Sequence, residues 1–157
     1  MSPPWSRAPS SISFLEKRNY KVKITPYLNF DGRCAEALDL YARVLGGEVT
    51  FKQTFGDSPM KDDVPPEFQN AVMHATLTIG DQTIQASDAP PNRYARPAGF
   101  MVTIGLDDAE KAKAAFAAFA DGGTVIMDLQ ATFWTPLFGM VTDRFGIPWM
   151  INLEVAQ

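Results

Sequence analysis

Chemistry near neutral pH needs a proton carrier, a nucleophile or a set of metal ligands, and this chain of 157 residues offers few of each. It has one histidine, His74, and one cysteine, Cys34. An unperturbed imidazole titrates at a pKa of about 6.5, so His74 is the one candidate for acid–base work. A lone histidine excludes a two-histidine metal site of the HExxH kind, and a lone cysteine excludes an internal disulfide and any multi-cysteine zinc site. Cys34 falls on the apolar stripe of a helix and reads as packing rather than as a nucleophile. No GxSxG is present to supply a serine for His74. Neither helix follows its strand through a GxGxxG or GxxxxGK[ST] loop, so no nucleotide cradle is indicated. The acids Asp57, Asp62 and Asp63, in the stretch 56–69, lack the spacing of a calcium loop and read as a solvated loop. Asp88, ahead of Ala-Pro-Pro, reads as a turn former, with orientation of an imidazole or a ligand as the other role open to it. Phe133, Trp134, Phe138, Phe145 and Trp149 crowd the last third of the chain. They read either as core and dimer surface or as faces for a small organic ligand, with Trp134 on a lip at 130–137.

Composition narrows the classes. Lys and Arg number 14 against 18 Asp and Glu, a formal charge of -4, and nucleic-acid binders usually carry a clustered basic face, so no nucleic-acid partner is expected. Hydrophobic residues make up 46% and charged residues 20%, which suits a globular chain able to bury about 68–70% of its unfolded surface. No stretch approaches the ~20 apolar residues of a membrane span, and the apolar residues near the start are too interrupted for a signal peptide. A cytoplasmic protein without a membrane partner is the expectation.

These few groups must be positioned by short elements. Residues 1–20 read as a tail. From Lys21 apolar and polar residues alternate: Val22, Ile24, Leu28 and Phe30 share one parity, the signature of a half-buried strand. Asp31-Gly32 breaks it. Cys34, Leu38, Tyr41 and Leu45 then recur as one helical stripe, stopped by Gly46-Gly47. Strands follow at 48–55, 71–79 and 82–87, and 89–98 is a linker. The grammar then restarts, with a strand at 100–106 and a helix opened by Asp107 and Glu110 in a capping-box pattern. Gly122-Gly123 stops that helix, and strands follow at 124–129, 139–142 and 149–153. Laying Phe30 on Leu106 and Gly46-Gly47 on Gly122-Gly123 needs no gap, which indicates an internal duplication. The reading is a single α+β domain over 21–157, with βαβββ module one at 21–88 and module two at 99–154. In module one Val72, His74, Thr76 and Thr78 share a polar face with Thr83, Gln85 and Ser87 next door, while Met73, Ala75, Leu77, Ile84 and Ala86 face the other way.

A tandem βαβββ pair of this length resembles the vicinal oxygen chelate superfamily, the glyoxalase and bleomycin-resistance-like fold. Ile24-Thr25-Pro26-Tyr27-Leu28, Ala35-Glu36-Ala37-Leu38 with Tyr41, Leu45-Gly46-Gly47, Met73-His74-Ala75, Ser87-Asp88-Ala89 and Asp143-Arg144-Phe145-Gly146-Ile147-Pro148-Trp149 together are similar to its PhnB-like branch. Members of that branch often carry the label 3-demethylubiquinone methyltransferase, yet no glycine-rich S-adenosylmethionine loop follows a strand here. The resemblance implies strands curled into a cup, helices on the outer face and a homodimer. It also implies metal ligands on the first and last strand of each module. Transferred by strand register, those positions are Thr25, Gln85, Met101 and Met150. Only Gln85 offers an amide oxygen and the methionines suit soft copper, so no metal and no cofactor are expected.

The functional expectation is a small organic molecule bound in the cup by Tyr27, Asn29, His74, Gln85, Thr103, Trp134 and Asn152, without the superfamily's usual metal and with the reaction unassigned. His74 is the catalytic candidate, the other reading being a histidine hydrogen-bonded across the sheet that helps set the strand pairing. The alternative is a metal-dependent lyase, isomerase or dioxygenase of the glyoxalase type that recruits Gln85 and His74 as ligands.

Overall fold

A computed structural model describes residues 21–155, so the tail read at 1–20 lies outside the described residues. Strand β1 (Tyr27–Phe30) leads into helix α1 (Cys34–Leu45), then β2 (Glu48–Thr54), two single 3-10 turns, β3 (Val72–Ile79) and β4 (Gln82–Asp88). After the linker come β5 (Val102–Leu106), α2 (Ala109–Ala120), β6 (Thr124–Gln130), β7 (Phe138–Thr142) and β8 (Pro148–Leu153). The first module forms a sheet of order β1-β4-β3-β2 and the second repeats it as β5-β8-β7-β6. In each, the first and last strands run parallel and the other neighbours antiparallel. The α+β class and the tandem βαβββ grammar are therefore as read, with two separate four-stranded sheets. No helix of the described residues is long and apolar enough to cross a membrane.

Sequence chemistry sets the helix ends. Gly46 closes α1 at φ 69°, and its N–H returns to the Ala42 carbonyl, a left-handed cap that glycine adopts without a Cβ clash. At the start of α2 the cap is Asp108, whose carboxylate accepts from the Lys111 N–H at 3.0 Å. This displaces the Asp107–Glu110 box by one residue, because the helix begins at Ala109 and the capping oxygen must reach the third amide beyond it. Gly139 lets α2 sit on β7, since a Cβ there would lie 2.7 Å from the Phe116 ring.

Two strand expectations are corrected. Residues 21–26 form no strand, and Val22 and Ile24 are 79% and 90% exposed. Pro26 has no N–H to give, and the parallel ladder to β4 starts only where its carbonyl accepts from Gln85 at 3.0 Å. The second module behaves likewise, with Phe100 exposed and pairing from Val102. Val72 leaves the face of His74. Between Thr54↔Val72 and Gln53↔His74 the β3 strand carries one residue more than β2, and that bulge at Met73 reverses the alternation and sends Val72 into the core.

One continuous core joins the modules, from Leu28, Phe30, Leu38 and Tyr41 through Phe116 and Phe119 to Trp149 and Ile151. Cys34 belongs to it, and burial pushes its thiol from 9.0 up to about 12, as fits a packing residue. Trp149 stacks on Phe119 at 4.7 Å, and Tyr41 meets both rings edge-on. At the centre lies Asp143, only 3% exposed. One carboxylate oxygen accepts from Trp149 Nε1 at 2.8 Å and from the Tyr41 hydroxyl, and the other accepts from the amides of Phe145 (2.9 Å) and Ile147 (3.0 Å). Burial, then the Asp143 charge beside it, drive the Tyr41 pKa well above the usual phenol range, so Tyr41 stays a donor. Tyr41→Phe should cost about 1.5–3 kcal/mol, the worth of a hydrogen bond to a charged group, and Asp143→Asn more, because one amide oxygen cannot serve two sets of donors. Urea unfolding measures both; losses within about 0.5 kcal/mol of zero, the range of ordinary surface changes, would show that the network is idle.

Candidate functional site

Alternation places one side of each sheet against the helices and leaves the other open. In β3 and β4 the buried Ala75, Leu77, Ile84 and Ala86 face the core, and His74, Thr76, Thr83 and Gln85 occupy the half-buried positions between them. In β8 the buried Trp149 and Ile151 alternate with the half-buried Met150 and Asn152. The edge strands β1 and β5 meet across a groove of about 500 Å³ whose walls include Tyr27 and Thr103, and no ladder crosses it.

The structure places the seven sequence candidates in two groups, one on each module. In module one the Tyr27 hydroxyl lies 3.1 Å from His74 Nδ1, and the two rings stack at 5.7 Å. Phe51, from β2, flanks the imidazole at 5.9 Å. Gln85 stands in register between Tyr27 on β1 and Thr76 on β3. Asn29 accepts from the Ser87 hydroxyl at 3.2 Å. In module two Trp134 Nε1 donates to Asn152 Oδ1 at 3.2 Å, while its ring meets Phe138 at 5.1 Å and Phe133 at 4.9 Å. Thr103 hydrogen-bonds Met150 Sδ at 3.5 Å on the adjoining strand.

The five aromatics divide by exposure. Trp149, Phe145 and Phe138 are buried, whereas Phe133 is 98% exposed and Trp134 half exposed. The lip that carries them is pinned by Thr135, whose hydroxyl donates to the Leu153 carbonyl at 2.7 Å. Neither Thr135 nor Phe51 stood out in the sequence, where a threonine in a loop and a phenylalanine in a strand are ordinary. A third unheralded feature is the direct register of Met127, Met140 and Met150 across β6, β7 and β8, a polarisable floor beside the tryptophan.

Asp88 is neither a turn former nor aimed at a ligand. It ends β4 at 3% exposure, and its two oxygens accept from the amides of Cys34 and Val72, each at 2.9 Å. Burial raises its pKa, and the amides of Val72, Cys34 and Gly32 oppose that rise. The carboxylate thus ties the start of α1 to the start of β3.

The four positions at which the resemblance implies metal ligands offer one hydroxyl, one amide and two thioethers, and Thr25 precedes β1 altogether. Among the described residues no three His, Cys, Asp or Glu side chains converge. Such donors do not fit the hard or borderline divalent ions of the fold. His74, by contrast, leans on an exposed tyrosine, so His74→Ala should cost less than about 1 kcal/mol, because the freed Tyr27 hydroxyl returns to water. Denaturant unfolding without ligand tests this; a loss of ~1–3 kcal/mol, the toll of a stranded buried partner, would make His74 a structural residue.

Comparison with known proteins agrees with the fold. Residues 23–151 match the family model of the Glyoxalase/Bleomycin resistance protein/Dioxygenase superfamily. The chain is 38% identical over 144 residues to protein YjdN of Escherichia coli, an overlap covering 87% of this chain and 98% of YjdN. Among solved structures it is similar to protein PA1353 from Pseudomonas aeruginosa, at 40% identity and a TM-score of 0.76, over 85% of this chain and 98% of that one. The fold is also that of the PhnB protein from Bacillus cereus, at 23% identity and a TM-score of 0.73, over 85% of this chain and all of that one. Shared topology, motifs and overlap together place the chain in the glyoxalase/bleomycin resistance protein/dioxygenase superfamily.

Proposed function

We propose that the open face binds a small organic molecule without the superfamily's usual metal. The observation that carries this reading is the state of the two side-chain groups: each is fixed by its own hydrogen bonds, Tyr27 with His74 and Trp134 with Asn152, yet remains open to solvent. Groups fixed before a ligand arrives lose little conformational entropy on binding it. Tyr27, Trp134 and Phe51 supply apolar faces, while Asn29, Gln85, Thr103 and Asn152 supply directional polar contacts, the mixture typical of small-molecule sites. His74 supplies the only imidazole of the set, the side chain that most often serves as a general acid or base.

A thermal-shift screen of metabolite-sized compounds tests the reading, since a ligand at 100 times its dissociation constant stabilises the fold by about 2.7 kcal/mol. Trp134→Ala and His74→Ala should each abolish a response seen with the native chain while leaving the unliganded melting point close to its native value. Metal analysis of protein purified without an affinity tag separates this from metal-dependent lyase, isomerase or dioxygenase chemistry; a near-stoichiometric transition metal would overturn the metal-free reading.

The protein works as a cytoplasmic homodimer in this reading. Among the described residues β2 and β6, like β1 and β5, each have one neighbour, and β6 carries exposed Val125 and Ile126. Unpaired edges with apolar side chains favour association with a second copy. Sedimentation at micromolar concentration should give a dimer, and a monomer there would end this part of the proposal.

A further inference from the structure

A second cavity, of about 410 Å³, lies where four stretches of chain converge: the turn after β1, the linker, the α2–β6 turn and the β7–β8 turn. Arg33, Arg96 and Arg144 all line it, together with Tyr94. The described residues contain only five arginines, and three of them line this cavity against two aspartates, a local surplus of one positive charge in a chain whose formal charge is -4. Asp143-Arg144-Phe145-Gly146, prominent in the sequence but idle in the open face, forms one wall.

Two of the guanidiniums are already held. Those of Arg33 and Arg144 lie 4.5 and 4.9 Å from the centre of the buried Phe145 ring. Glu36 accepts from Arg33 Nε and a terminal nitrogen at 3.1 and 3.0 Å, which fixes that side chain and lowers the Glu36 pKa. The Arg144 stem rests on Gly122, where a Cβ would come within 3.2 Å of it. Among the described residues the ion pairs are Arg33–Glu36 and Lys113–Glu110, so Arg96 and Arg144 have no carboxylate partner. The opposing charges at the cavity are Asp31 and Asp143. Asp143 has both oxygens occupied by four donors, and one terminal nitrogen of Arg144 donates to the Asp121 carbonyl at 3.5 Å, which leaves Arg96 and the remaining N–H groups of Arg144 for another acceptor.

We infer that this cavity binds the oxyanionic group of a small molecule, a phosphate or a carboxylate. Arg96 and Arg144 hold it, Arg33 adds a fixed positive charge, and Tyr94 supplies a neutral donor. A guanidinium presents a planar fork of N–H donors that matches two oxygens of such a group, and charge-assisted bonds of this kind are roughly twice as strong as neutral ones.

The test is titration of the full chain with inorganic phosphate and, separately, with acetate, each against sodium chloride at matched ionic strength, followed by NMR shifts of the backbone amides around Phe145. A saturable change with either anion supports the site, and the tighter of the two identifies the group. Arg96→Gln should weaken that binding about tenfold or more, the value of one hydrogen bond to a charged group, and Asp31→Asn should strengthen it. Lys113→Gln removes the same charge from an exposed pair on α2 and should leave binding unchanged. A response no larger than that to chloride, or equal losses in Arg96→Gln and Lys113→Gln, would overturn the assignment and leave the arginines as counter-charges to Asp143.

Discussion

A single carboxylate is buried at the centre of this molecule, and the relation between its two halves depends on it. Asp143 belongs to a turn of module two, yet one of its four donors, the Tyr41 hydroxyl, comes from the helix of module one. Removing an isolated charge from water is costly, and only a full set of donors makes it tolerable. The aromatic rings of Tyr41, Phe119 and Trp149 pack around the same point. Directional bonds thus set the docking angle that apolar contact alone would leave loose.

Asp88 plays a related part inside module one, and the pair shows where sequence reading reaches its end. The grammar of strands, helices and glycine stops was legible because period and turn chemistry are local, and the two modules repeat them. Aspartates next to turns are equally common whether they face water or hold a core together, so Asp88 and Asp143 could not be told from ordinary turn formers before the chain was folded. The errors at Asp107 and Val72 have the same origin. A cap displaced by one residue and a bulge at Met73 are decided by what packs against the element, and neither leaves a mark in the pattern of polar and apolar letters.

Of the proposed open-face set, the strand residues were legible because alternation is simple, and Trp134 because a large aromatic in a loop is conspicuous. What the pattern could not supply was the pairing. That Tyr27 meets His74, 47 residues away, follows from the parallel docking of β1 on β4 with β3 beside it. The duplicated scaffold has meanwhile diverged in chemistry: both modules present hydroxyl and amide groups, but module one adds an imidazole and module two adds thioethers and an indole.

Among the described residues no ladder crosses the groove between β1 and β5. The connection at 89–101 ties β4 to β5, and a short tether holds its ends at an effective concentration on the order of millimolar. An interface worth about 5.5 kcal/mol, a dissociation constant of about 0.1 mM, is closed about ten to one at that concentration. The two halves therefore need not bind one another as strongly as separate proteins would, and the groove between them is free to vary in sequence without the fold coming apart.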